Sequence, residues 1–257
     1  LGEAVSLVLS LFPGIGLLDR AFEEEGFCVV RGPDLLWGGD IKMFHPPAGV
    51  FDGVIGGPPC QVFSRFRHLN PKAGGKQGNL IPEFERVVAE ARPAWFLMEN
   101  VPAAPAPGVD GYGVNETLLN NRWLGEEQHR VRRFSFGSLR GTRCLPIETV
   151  ALENPLFAQA VTTDQRAVPV KMAPGGKVKG TWKPPTVTAG HGTPFDRPRQ
   201  TIADMCELQG LPRHFLEEAP FTAHGKRKVI GNGVPLPMGR AIAKAVKRAL
   251  ELMEARP

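Results

Sequence analysis

A chain of 257 residues, 42% of them hydrophobic, can bury the core of one large α/β domain, or of a main domain with a small appendage, without disulfide staples. Its four cysteines (Cys28, Cys60, Cys144, Cys206) are scattered with no Cys-x-x-Cys pair, which suggests neither a zinc site nor a disulfide framework, and no apolar stretch reaches membrane-spanning length; no metal, no membrane and a cytoplasmic setting are expected. The net charge of +5 gathers in patches at Arg65, Arg67 and His68, at Arg130, Arg132 and Arg133, at Lys171 to Lys183 and at Lys226 to Lys228, a distribution that suits a polyanionic partner as well as plain solubility.

In chain order, Val5 to Leu11 is an apolar run that predicts a strand, Phe12-Pro13-Gly14-Ile15-Gly16 a glycine turn, and Leu17 to Glu25 a helix with Leu17, Leu18, Ala21 and Phe22 at helical spacing. Phe27 to Val30 and Val50 to Ile55 predict further strands. A helix over Pro82 to Ala91 then leads to a fourth strand, Ala94 to Met98. Alternating strands and helices imply a mostly parallel sheet covered on both faces. Asn70 to Gly78 lacks periodicity and holds two adjacent glycines, so it reads as a loop. Composition shifts to Pro, Gly and Lys from about Leu139 to Lys183, which predicts a small loop-rich region. The chain closes in a helix, Pro237 to Glu254, with Ile242, Val246, Leu250 and Met253 on one face.

Four segments carry possible chemistry. Gly56-Gly57-Pro58-Pro59-Cys60-Gln61 follows the third strand, so Cys60 sits on a proline-stiffened turn at the edge where α/β enzymes bind ligands. It is either a nucleophile or a structural core thiol. Glu99-Asn100-Val101-Pro102 ends the fourth strand at the same edge, as an acid with a raised pKa or as a simple turn. If Gln128 to Arg133 is extended, Arg130 and Arg132 share one face and can clamp an anionic or carbonyl ligand; a solvated edge strand is the alternative. The first turn has Gly14-x-Gly16 without the third glycine of a dinucleotide fingerprint, which leaves room for a nucleoside cofactor without pyrophosphate. Asp34 and Asp40 are available to it for ribose or adenine, or are merely solvated loop carboxylates.

Taken in order, these segments resemble the DNA cytosine-5 methyltransferase family. The resemblance covers nearly the whole chain: the Phe12 to Gly16 turn, the Pro-Cys turn with Ser64, Glu99-Asn100-Val101, Gln128-x-Arg130-x-Arg132, Arg199-Gln200-Thr201-Ile202 with Leu208-Gln209-Gly210-Leu211-Pro212, and Gly231-Asn232-Gly233-Val234-Pro235. It implies a Rossmann-like S-adenosylmethionine-dependent methyltransferase fold with a mostly parallel sheet and a small target-recognition domain. Residues 1–138, completed by 226–257, would form the catalytic part and 139–225 the recognition part.

The resemblance further implies that Cys60 adds to C6 of a flipped cytosine in double-stranded DNA, so that C5 can take a methyl group from S-adenosylmethionine. Glu99 would hold a proton at N3, Arg132 would donate to O2, and Arg130 would orient Glu99. Phe12, Gly14, Gly16, Asp34, Leu36, Asp40, Ile41, Pro59, Asn232 and Val234 would hold the cofactor. Pro58, Gln61, Ser64, Arg65, Arg67 and Asn100 would meet the substrate, with the Arg65 to Lys76 segment closing over the extruded nucleotide. A monomer is expected, with a restriction enzyme as a possible companion. Departures from the family are Ser10 where an acidic residue is common, Leu17 where glycine is frequent, and a spacing between Asp34 and Asp40 too short for the usual helix and part-strand. Two rival readings are a transfer-RNA cytosine-5 methyltransferase and a catalytically silent DNA-binding homologue; the Cys60, Glu99, Arg130 and Arg132 set argues against the second.

Overall fold

A computed structural model describes residues 5–59, 78–150 and 200–255 of the chain. β1 (Leu7–Leu11) is followed by α1 (Leu17–Glu24) and β2 (Cys28–Arg31). Two single 3-10 turns, Leu35–Trp37 and Ile41–Met43, lead to β3 (Gly53–Gly56). Beyond 60–77 come α2 (Ile81–Ala91), β4 (Trp95–Asn100), β5 (Gly113–Asn120) and β6 (Val131–Ser138). After 151–199 the chain forms α3 (Ile202–Leu208), α4 (Ala223–Asn232) and α5 (Leu236–Glu254).

The sheet runs β2-β1-β3-β4-β6-β5. Its first four strands are parallel, while β6 runs antiparallel to β4 and β5 antiparallel to β6. Successive strand residues point to opposite faces, and this alternation divides the core. Val8, Ile55, Trp95, Leu97, Phe134 and Phe136 face Leu18 and Phe22 of α1 and Met238, Ile242 and Val246 of α5. Leu9, Leu11, Val54, Phe96 and Met98 face Phe84, Val87 and Val88 of α2, with Ile41 from the second 3-10 turn. Both faces are covered, as the alternation of elements predicted. Among the described residues no helix is long and apolar enough to cross a membrane.

The sequence reading did not anticipate β5, α3 or α4. The division expected at 139–225 groups α3 with the recognition region; in the structure Met205, Cys206, Leu211 and Leu216 share a third core cluster with Leu17 and Ala21 of α1 and Val229 and Ile230 of α4. α3 starts on a capping box, in which the Thr201 hydroxyl accepts from the Asp204 amide and the Asp204 carboxylate accepts from the Thr201 amide.

Candidate active site

The parallel register brings three turns to one level. Leu11 lies beside Gly56, and Gly56 beside Met98. The Phe12 turn, the Gly57-Pro58-Pro59 turn and Glu99-Asn100 therefore leave the same carboxyl edge side by side, where open α/β sheets bind ligands. β6 starts at that edge too, because Arg133 pairs with Asn100.

The first turn is held in an uncommon shape. Phe12, Gly14 and Gly16 all have positive φ (56°, 56° and 75°), and a side chain at Phe12 makes that a strained conformation. Its braces come from elsewhere in the sequence. The Gly14 amide donates to Asp34 Oδ2 at 2.8 Å, and Trp37 Nε1 donates to the Gly14 carbonyl at 2.7 Å. Beneath α1, the Ser10 hydroxyl donates to the buried Asp19 carboxylate at 2.5 Å, and Arg31 Nε donates to its other oxygen at 3.1 Å. Burial pushes the Asp19 carboxyl above its ordinary range, against the pull of Ser10 and Arg31.

Of the residues expected to hold a cofactor, Asp34 and Leu36 are joined: the Leu36 amide donates to Asp34 Oδ1, so the carboxylate caps its own 3-10 turn while bracing Gly14. Asp40 likewise accepts from the Lys42 amide. Ile41 is buried in the core facing α2. Asn232 is exposed at the end of α4, and Val234 is buried beyond it. Trp37, which the sequence reading passed over, presents an exposed ring 5.9 Å from that of Phe221. Its signal was an aromatic residue a few positions beyond the carboxylate after β2.

At the second turn, Asn100 is 2% exposed; its Nδ2 donates to the Pro58 carbonyl at 3.2 Å and its Oδ1 accepts from the Val101 amide. This ties the Pro-Pro turn to the end of β4. Glu99 is buried beside it and pairs with Arg132 Nε at 2.9 Å. Its other oxygen faces the Gly57 backbone, where a Cβ atom would lie 3.1 Å away. Burial holds the Glu99 carboxyl above the ordinary carboxylate range, and this outweighs the opposing pull of Arg132, Arg130 and the Arg132 hydrogen bond.

The two arginines have different partners. Arg132 meets Glu99, whereas Arg130 Nη2 donates to the carbonyls of Gly231 and Gly233 at 2.9 and 3.0 Å. Cys60, Gln61, Ser64, Arg65 and Arg67, with the loop that follows, lie outside the described residues, although Cys60 is next in sequence to Pro59. The edge thus combines a braced glycine turn, a buried acid whose carboxyl is held above its usual range, and a guanidinium paired with it.

A family model described as C-5 cytosine-specific DNA methylase matches residues 39–107, which include the Pro-Pro-Cys turn and Glu99. The Type II methyltransferase M.NgoPII of Neisseria gonorrhoeae is 23% identical, over 95% of this chain and 96% of its own length. The Type II methyltransferase M.HindV of Haemophilus influenzae is 24% identical over 80% and 76% respectively. In fold the chain is similar to the Entamoeba histolytica methyltransferase EhMeth, with a TM-score of 0.63 at 13% identity over 96% of this chain and 99% of that one. The matched segments include the turns that build the edge described above, and across them the chain is similar to C-5 cytosine-specific DNA methylases.

Proposed function

We propose that this enzyme transfers the methyl group of S-adenosylmethionine to C5 of a cytosine flipped out of double-stranded DNA, through a covalent bond between Cys60 and C6. The observation that carries this reading is the buried Glu99–Arg132 pair, level with the Pro58-Pro59 turn that leads into Cys60. Cytosine C5 is a poor nucleophile. Addition of a thiolate to C6 moves the ring's electrons to C5, and a protonated Glu99 at N3 accepts the charge that this builds up. Arg132 donates to the base O2, and the Pro58 carbonyl, which Asn100 holds in place, faces the exocyclic amine. C5 then takes the methyl carbon, leaving S-adenosylhomocysteine; water takes the C5 proton, Cys60 departs as thiolate as the C5–C6 double bond reforms, and the N3 proton returns to Glu99.

The residues of the first turn suit the methyl donor. Gly14 has nothing within 4 Å of the place a side chain would take, and the exposed Trp37 ring beside it offers a stacking surface for adenine. When bound, the donor supplies a methyl carbon made electrophilic by its sulfonium. Phe12, Gly14, Gly16, Asp34, Asn232 and Val234 are assigned to hold it, segment 139–225 to recognise the target, and the monomer is taken as the active form.

The test is incubation with labelled S-adenosylmethionine and duplex DNA carrying 5-fluorocytosine, whose C5 substituent cannot leave as a proton. A stable protein–DNA adduct is expected, absent in Cys60→Ser and absent with transfer RNA. If the folded protein binds the cofactor yet no DNA yields the adduct, the covalent mechanism is wrong; an adduct on transfer RNA alone would move the substrate to RNA.

A further inference from the structure

Gln209 is fully buried at the end of α3 and grips the turn that follows α4. Its Nε2 donates to the Ile230 carbonyl at 2.6 Å and to the Gly233 carbonyl at 3.2 Å, while its backbone carbonyl accepts from the Leu236 amide at 2.9 Å. Arg130 Nη2 takes the Gly231 and Gly233 carbonyls from the side of β6. The carbonyls on both sides of Asn232 are thus fixed, and the Asn232 side chain is left exposed. These are the carbonyls that the end of a helix leaves without partners. Gly233 is extended (φ −67°, ψ 151°), so no left-handed cap satisfies them, and two buried side chains do so instead. The guanidinium also puts a positive charge at the negative end of α4. Gln128, equally buried, holds the Leu208 carbonyl one residue before Gln209.

We propose that Gln209 is a positioning residue of the methyl-donor site, which fixes the Gly231 to Val234 turn so that Asn232 and Val234 meet the donor; this rests on the assignment of those two residues to the donor. Gln209 touches neither reactant and acts through the backbone of the turn. The side chain's own oxygen, Gln209 Oε1, is buried with no hydrogen-bond partner among the described residues. A leucine at this position therefore removes a buried unsatisfied acceptor along with the two donated bonds, which offsets part of the cost to folding. Its effect on the turn has no such compensation.

The experiment compares wild type, Gln209→Leu and Asn232→Ala by calorimetric titration with S-adenosylhomocysteine, thermal unfolding without ligand, and steady-state methylation. For Gln209→Leu we expect affinity about 10-fold weaker and a KM for S-adenosylmethionine raised by about the same factor, with kcat within about 2-fold, the pattern of lost uniform binding. The unliganded unfolding temperature should fall by a few degrees, because the Ile230 carbonyl loses its partner, while unfolding stays cooperative. A folded Gln209→Leu that binds as wild type does, while Asn232→Ala binds weakly, overturns the positioning role. Unchanged binding in Asn232→Ala instead overturns the donor-site assignment on which it rests. If the leucine variant fails to fold, Gln209→Met, unbranched and of similar length, takes its place under the same criteria.

Discussion

Glu99 is a carboxyl whose surroundings pull both ways. Arg132, 2.9 Å away, favours the ion, and burial favours the acid; burial is the larger effect and the pKa is raised. Under the proposed mechanism the acid form is the one that serves N3. Activity should then decline as pH rises through the raised Glu99 pKa, and the stability linked to the neutral, buried carboxyl, complete below the unfolded-state pKa, should be lost over the same rise. Glu99→Gln keeps an N–H that can reach N3 but cannot titrate or deliver a proton. We expect it to lower kcat by about 10² to 10⁴-fold and to remove that alkaline limb; a pH–rate profile with the limb intact in Glu99→Gln would assign the titration to another group. Glu99 and Arg132 were legible in the sequence because each sits in a short motif at a strand end. The partners that give the site its shape were not. Trp37 on Gly14, Ser10 and Arg31 on Asp19, and Gln209 on Gly233 meet only after the chain has folded, across 23, 9, 12 and 24 residues.

At the scale of elements, the sheet is set by where it has no side chain as much as by where it does. A Cβ at Gly137 in β6 would lie 2.2 Å from the ring of Phe96 in β4, and one at Gly53 in β3 would lie 2.2 Å from the ring of Trp95. Phe96 cannot retreat, since it is buried between Phe84 and Tyr112 at ring distances of 5.8 and 5.3 Å. Gly137→Ala should therefore destabilise the fold by about 1–3 kcal/mol through overpacking. In a urea titration the midpoint should fall with the slope unchanged; a midpoint equal to that of wild type would mean that Phe96 has space the packing does not show. β1, β3 and β4 were readable because each is a short, nearly continuous apolar run bounded by Gly, Pro or Asp, as expected of strands buried on both faces, whereas β2, largely exposed at the sheet edge, showed itself only through the apolar stretch Phe27 to Val30. β5 was not, because Gly113–Asn120 is half-exposed along most of its length and its sequence, Gly-Val-Asn-Glu-Thr-Leu-Leu-Asn, alternates poorly. α3 was missed for its brevity, although Thr201-x-x-Asp204 was a usable start signal.

The whole molecule closes by returning its last helix to its first. α5 contributes Leu236, Met238, Ile242, Val246 and Met253 to the buried set, shares one cluster with Val8, Phe22, Leu97 and Phe134, and pairs Arg240 with Glu24 of α1 at 2.6 Å. The ion pair is partly exposed on both sides and adds little. The apolar side chains decide the matter: at about 1.5–3 kcal/mol for each large one, their burial is comparable to the roughly 5–15 kcal/mol by which a domain is stable at all. The helix was legible from its periodicity to within one residue at its start, but its target was not, since nothing in residues 236–254 says that they must meet residues 17–24. A chain that ends at Pro235 should therefore fail to fold rather than lose only the segment removed. Trp95 reports this well, as it is buried in the same cluster with Phe22 and Phe27 at ring distances of 6.2 and 6.0 Å. We expect the shortened chain to lose the near-ultraviolet circular dichroism of its aromatic residues and to bind 8-anilinonaphthalene-1-sulfonate, the signs of a sheet whose face is no longer packed. Retention of the near-ultraviolet spectrum with a cooperative urea transition would show that the sheet is held by α1 and α2 alone, and that α5 serves chiefly to anchor the Asn232 turn.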